Sequence, residues 1–120
     1  MEDNNLINSA MNIIINAGDS RLHITEALNE ISKNNYLEAK EKLKLADEKM
    51  IQAHRIQTDI VQKEADGTVV EYSVLFTHAQ DTLMTIKSEL DLAKNLFKVF
   101  QSFEERLSKL EKGVSHDEDE

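Results

Sequence analysis

The stretch Val74-Leu75-Phe76-Thr77-His78-Ala79-Gln80-Asp81-Thr82-Leu83-Met84-Thr85 opens the segment whose reading decides the fold. From about Tyr72 to Leu110 the sequence carries no Gly or Pro and repeats apolar residues at steps of three and four, which predicts one long helix. At 1.5 Å per residue such a helix runs to roughly 55 Å, long for a small domain. Wound at about 100° per residue, it presents two apolar stripes rather than one. The first collects Leu75, Ala79, Leu83, Ile86, Leu90, Ala93, Phe97 and Phe100. The second, roughly a quarter-turn away, collects Val74, Leu92, Leu96, Val99, Phe103 and Leu110. Two stripes imply two packing partners. His78, Asp81, Thr85 and Ser88 fall on or beside the second stripe in its N-terminal half. Burying such groups costs free energy unless each is hydrogen-bonded, charge-paired or metal-bound.

Composition narrows the class. A chain of 120 residues is one domain with a modest core. With 40% hydrophobic and 5% aromatic residues, no Pro and three Gly, it lacks the turn residues of a β-rich fold and reads as all-α. A net charge of −9 argues against nucleic acid and anionic membranes, both of which select clustered Lys and Arg. The absence of Cys excludes disulfides, thiolate metal sites and a nucleophilic thiol. No apolar run approaches the 18 or so residues needed to span a bilayer, and Met1-Glu2-Asp3 is acidic where a signal peptide is basic. We therefore expect a cytoplasmic protein with no membrane insertion.

Three helices account for the rest. Leu6, Ile7, Ala10, Met11, Ile14 and Ala17 give the first its helical steps, and Leu22, Ala27, Leu28 and Ile31 continue them after Gly18, where we expect a kink or a break. Asn35 and Glu38 have capping-box spacing for the second helix, whose stripe is Ala39, Leu43, Ala46, Met50, Ala53 and Ile60. Asp66-Gly67 is the strongest turn signal in the chain, and Thr68 with Glu71 offers a further capping-box spacing before the third helix. Gly113 suits a C-terminal stop after Lys109 and Lys112. The expected organisation is a helical domain over residues 1–112 and a disordered acidic tail over 113–120. Short links favour an antiparallel three-helix bundle. Its exposed second stripe would be covered if the third helices of several copies packed about a common axis.

His78 is the best nucleophile in the chain, since a neutral imidazole attacks well near pH 7. Asp81, three residues on, either orients the imidazole or meets its own copies at an oligomer axis. In the latter case a divalent cation such as Mg²⁺ or partial protonation must relieve carboxylate repulsion. Thr77, Gln80, Thr82 and Thr85 are the nearest hydrogen-bonding side chains in sequence. In the second helix, His54 lies near the edge of the apolar stripe and Gln57 interrupts it, so a buried Gln57 would need hydrogen bonds. A non-catalytic oligomerisation or adaptor module, with His78 and Asp81 only setting register, is the alternative to chemistry.

The string from Val74 to Thr85 resembles the HAQDxLMT signature of the lactose/cellobiose-type IIA components of the bacterial sugar phosphotransferase system. Ala17-Gly18-Asp19-Ser20-Arg21 is similar to that family's AGDAR-type stretch and Ala53-His54-Arg55-Ile56-Gln57-Thr58 to its AHxxQT stretch, so the likeness covers about residues 3 to 104. The resemblance implies a phosphocarrier that accepts a phosphoryl group from phospho-HPr and passes it to a cysteine of the cognate EIIB. His78 matches the phosphorylated histidine, Gln80 a neighbour of it, and Asp81 the aspartate that binds a Mg²⁺ ion on the three-fold axis of a homotrimer, a nine-helix assembly built through the long third helix. Many relatives carry histidine where this chain has Thr82.

Overall fold

A computed structural model describes residues 4–119, with side chains over 5–114. It contains α1 (Asn4–Ser32), α2 (Tyr36–Ala65) and α3 (Val74–Asp119), and no strand among the described residues. The cross-links fix the directions. Asp19 lies 3.9 Å from Lys49, the buried Ser20 hydroxyl donates to the Ala46 carbonyl at 2.8 Å, and Glu26 lies 3.8 Å from Lys42. Partner numbers in α2 thus fall as those in α1 rise. Between α2 and α3 the same reversal holds, with Tyr36 bonded to Phe100 and Asp47 to Lys94. The bundle is antiparallel, leaving α1 and α3 parallel to each other. Arg21 ties those two by donating to both carboxylate oxygens of Glu89 at 2.9 and 2.8 Å, and this bond holds the guanidinium above its ordinary range.

Both links use a left-handed residue to turn the chain. Asn34 (φ 66°) closes α1, with the Asn35 amide donating to the Glu30 carbonyl (2.8 Å) and the Asn34 amide to that of Ile31 (2.9 Å). Gly67 (φ 100°) repeats the arrangement after α2, with Thr68 donating to Lys63 (3.0 Å) and Gly67 to Glu64 (3.1 Å). The first pairing corrects an expectation: Asn35 does not form a capping box with Glu38. Its side chain makes no cap bond, and its amide group donates to Glu30 instead. Nor does Thr68 cap the third helix. Ser73 does, its hydroxyl accepting from the Phe76 amide at 3.1 Å, so α3 starts at Val74. The capping signal sat in Ser73 itself, an N-cap residue type three positions before Phe76 without the Glu that completes a capping box.

Gly18 neither breaks nor ends α1, which is continuous from Asn4 to Ser32. A Cβ there would meet nothing within 4 Å. Glycine therefore costs backbone entropy at this position without relieving a clash, and Gly18→Ala is expected to stabilise the fold by about 0.5–1 kcal/mol in urea denaturation. The expected stop at Gly113 is likewise absent, because the α3 backbone is helical through Asp119. One exposed glycine costs a helix only about 1 kcal/mol, too little to end it by itself. Glu120 and the side chains of 115–120 lie outside the described residues.

The core is small-residue packing. Ala10, Ile13, Ala17, Ile24 and Ala27 of α1 meet Leu43, Ala46, Met50 and Ala53 of α2 and Ala79, Leu83, Ile86, Leu90 and Ala93 of α3, and Ala39 is buried as well. Alanines let the helix axes approach closely, while Leu83, Ile86 and Leu90 supply the bulk. The stripes read for α2 and for the first face of α3 are buried along most of their length, with Ile60, Leu75 and Phe97 half-buried and Phe100 exposed. In α1 the stripe holds only in part: Ala10, Ala17 and Ala27 are in the core, joined by Ile13 and Ile24, whereas Ile7, Met11, Leu22 and Leu28 are exposed. That helix is apolar on several sides, so periodicity did not single out one face.

The 29 and 30 residues of α1 and α2 are far fewer than the 46 of α3. The molecule is accordingly 79 × 21 × 18 Å. Tyr36 marks where α3 leaves the bundle: its ring meets Phe97 edge-on at 5.8 Å and its hydroxyl donates to the Phe100 carbonyl at 3.1 Å. Partial desolvation and then the Glu104 carboxylate raise the Tyr36 phenol above its usual range. Beyond Phe100, among the described residues, no hydrogen bond or ion pair joins α3 to another helix.

Candidate functional site

His78 stands in the second turn of α3, one position before the buried Ala79, with its side chain exposed. Ala79 and Leu83 anchor this turn to the core, so the imidazole is held on a rigid element rather than a loop. Three of the sequence candidates share its face. Around the helix Asp81 lies about 60° from His78, Thr82 about 40° and Thr85 about 20°. Asp81 and Thr85 are exposed and Thr82 is half-buried. The Thr82 hydroxyl donates to the His78 carbonyl at 2.8 Å, committing its proton to the helix backbone and leaving its oxygen free only as an acceptor. Thr77 is committed in the same way to the Ser73 carbonyl at 3.0 Å.

Gln80 is not beside His78 within one chain. Two residues on, it points about 200° away. It lines a groove of about 260 Å³ together with Ile60, Val61 and Glu64 of α2, residues 70–73 of the link, and Phe76 and Thr77 of α3. A second, more open hollow of about 530 Å³ lies against it, formed by Asn5, Leu6 and Ser9 of α1, Ile60 and Lys63 of α2, and residues 68–71. Both hollows are at the end of the bundle that carries His78. The same end exposes Val69, Tyr72 and Val74, which are 91%, 84% and 71% accessible.

His54 is exposed on α2, its Nδ1 3.3 Å from the Thr58 hydroxyl. Gln57 is half-buried, and its Oε1 is enclosed with no hydrogen-bond partner among the described residues. Neither lines the two hollows. Within a single chain, no group of three or more His, Asp or Glu among the described residues could hold a metal ion.

Seen along its length, α3 carries one unbroken outward line: His78, Asp81, Thr85, Ser88, Leu92, Leu96, Val99, Phe103, Leu107, Leu110 and Val114. Its steps of three and four average about 3.6 residues, so the residues stay in register on a straight helix for about ten turns. Only Leu96 is half-buried; the others are exposed. The line is polar over its first four members and apolar over the remaining seven. Leu107 and Val114 belong to it and were not among the residues of the second stripe. The same three- and four-residue stepping finds Leu107 between Phe103 and Leu110, and Val114 once it is followed past Leu110.

Residues 8–101 match the family described as the lactose/cellobiose-specific IIA subunit of the PTS. The chain belongs to that family. It is 39% identical over 89 residues to a lactose-specific EIIA component of the PTS from Streptococcus mutans, covering 74% of this chain and 86% of the relative. To the lichenan-specific phosphotransferase enzyme IIA component of Bacillus subtilis it is 33% identical over 94 residues, or 78% of this chain and 86% of the relative. Among solved structures, PtcA from S. mutans superposes with a TM-score of 0.81 at 33% identity, covering 84% of this chain and 99% of that one. The cellobiose-specific enzyme IIA of the PTS from Bacillus anthracis gives 0.79 at 33% identity, with 87% and 94% covered. This IIA chain is thus a component of a sugar phosphotransferase system with the family's three-helix fold. No helix among its described residues is long and apolar enough to cross a membrane.

Proposed function

We propose that this IIA chain is a cytoplasmic phosphocarrier for uptake of a lactose/cellobiose-type disaccharide, taking a phosphoryl group from phospho-HPr on His78 and giving it to a cysteine of the cognate EIIB. The observation that carries the reading is His78 itself: an exposed imidazole on a rigid helix, inside the segment matched to the family, at the end of the bundle that also exposes Val69, Tyr72 and Val74. A carrier that must meet two proteins in turn needs its nucleophile at the surface. It also needs a docking patch small enough to release.

In the first step a ring-nitrogen lone pair of His78 attacks phosphorus. The new N–P bond forms as the N–P bond to the histidine of HPr breaks and that imidazole leaves with the electron pair. In the second, the EIIB thiolate attacks the same phosphorus and the His78 nitrogen leaves. His78 returns to its starting form, and no redox partner is needed. Val69, Tyr72 and Val74 offer the apolar centre of a docking patch, and Gln80 in the groove offers an amide at its rim. Because Gln80 faces away from His78 of its own chain, it would serve a phosphoryl group only across an interface between copies.

The outward line of α3 supports a homotrimer in which three α3 helices pack side by side. Such packing covers Leu92, Leu96 and Val99 and brings three Asp81 carboxylates together. Exposed oxygen donors of this kind suit one Mg²⁺ per trimer, which would neutralise their mutual repulsion. Asp81→Leu is therefore expected to abolish Mg²⁺ binding in calorimetry while light scattering still reports three chains, at equal or lower dissociation concentration. A monomeric Asp81→Leu protein would remove Asp81 from the axis.

The function is tested by incubating the protein with phosphoenolpyruvate, enzyme I and HPr. One acid-labile phosphoryl group per chain is expected by mass spectrometry, discharged when the cognate EIIB is added. A protein that takes up none is not a phosphocarrier and falls to the oligomerisation-module reading.

A further inference from the structure

The family match ends at residue 101, and the S. mutans structure is 99% covered while this chain continues. The last part of α3 is thus an addition to the shared bundle. It is helical, yet among the described residues nothing covers its apolar row: Phe103, Leu107, Leu110 and Val114 are 48%, 52%, 67% and 57% exposed. Leu107, Leu110 and Val114 also line a shallow apolar hollow of about 360 Å³ with Glu111. A solitary helix of fewer than about 15 residues is marginal in water, and one with an apolar row is poorer still unless that row is covered.

The pattern names what covers it. Phe103, Leu107, Leu110 and Val114 alternate steps of four and three, which is the d-a-d-a repeat of a parallel coiled coil. In that register Arg106 occupies g and Glu111 the following e, so the guanidinium of one helix faces the carboxylate of its parallel neighbour. Arg106 is placed for this, its guanidinium 5.8 Å above the Phe103 ring at the edge of the row. Glu105, opposite the row, falls at the outward f position. The row is also the direct continuation of the His78-to-Val99 line. A second copy in parallel register answers the apolar row and the charges at once.

We propose that the C-terminal part of α3, residues 103–114, forms a parallel coiled-coil stalk between copies of this chain, extending the α3 interface beyond the bundle. The stalk rests on the side-by-side α3 packing proposed above. It lies at the far end of α3 from His78, Val114 being 36 residues and about 54 Å away along the helix, and leaves the phosphoryl site open to partners.

The protein has no cysteine, so single cysteines report packing without background. Ser88→Cys probes the α3 line within the bundle, Leu110→Cys the stalk, and Glu105→Cys its outward face. All three positions are exposed in the single chain, so each variant folds. Under mild oxidation, Ser88→Cys and Leu110→Cys are expected to form interchain disulfides about tenfold or more faster than Glu105→Cys, because packed pairs are held at high effective concentration. If Ser88→Cys links quickly and Leu110→Cys links no faster than Glu105→Cys, the stalk is wrong and the α3 packing stands. If neither links, both fall. If only Leu110→Cys links, the copies meet through the C-terminal segment alone, and the stalk as an extension of the α3 packing is overturned together with that packing.

Discussion

A His78→Gln chain is expected to take up no phosphoryl group from phospho-HPr, a loss on the order of a thousandfold or more, while its helix content and unfolding midpoint match those of the parent. The chemical half follows from removing the nucleophile on which the transfer turns: glutamine keeps a polar side chain of similar reach but has no lone pair basic enough to attack phosphorus. The structural half follows from exposure. His78 makes no side-chain hydrogen bond among the described residues, and a surface substitution away from caps and core stays within about 0.5 kcal/mol. His23→Gln and His54→Gln are the controls. His23 bonds to Glu26 at 2.8 Å and His54 lies against Thr58, and neither shares the turn of α3 that carries His78. Both should keep one phosphoryl group per chain by mass spectrometry. Uptake by His78→Gln would transfer the acceptor role to another residue.

Leu83→Ala is expected to cost about 3 kcal/mol, the second large effect, measured by urea denaturation at several protein concentrations. Leu83 is 0% exposed and sits one turn beyond His78 on the core side, between Ala79 and Ile86. Because the surrounding core is largely alanine, few long side chains are available to collapse into the space left behind, so the cavity penalty adds to the lost transfer energy. Against a total stability of about 5–15 kcal/mol this is a large fraction. Leu92→Ala makes the contrast. Leu92 is 59% exposed on the outward line, so its loss should scarcely alter the single bundle and should instead raise the concentration at which copies dissociate. A cost below 1 kcal/mol for Leu83→Ala would mean that α3 does not pack through its first stripe.

The two substitutions separate the two faces of one helix, and that separation is what the sequence made legible. Leu75, Ala79, Leu83, Ile86, Leu90 and Ala93 recur at the helical period among polar neighbours, so their burial followed from spacing alone. The placing of His78 beside the second stripe followed in the same way, whereas its acceptor role came only from the resemblance of the string around it to the family's signature. Local signals that depended on one residue fared worse. Asn35 has the spacing of an N-cap, but the chain needed Asn34 in a left-handed conformation to leave α1, and that turn directs the Asn35 side chain back to Glu30. Gly18 and Gly113 read as interruptions because glycine weakens a helix, yet neighbouring turns propagate through a single one.

By itself, the sequence determined that the chain is three helices, where their main turns fall, which face of α2 and which first stripe of α3 are buried, and that His78 and Asp81 share a surface. Those properties depend on the helical period and on residue type, both local. Only the tertiary structure decided the full buried face of α1, the separation of Gln80 from His78, the hollows between the α2 end and the link, and the point near Tyr36 and Phe100 where α3 leaves its neighbours. These depend on the relative lengths and rotations of helices packed against one another, which no single helix encodes. The outward line of α3 stands between the two. Its spacing is written in the sequence, but that it stays uncovered to Val114 emerged only once α1 and α2 were seen to be far shorter.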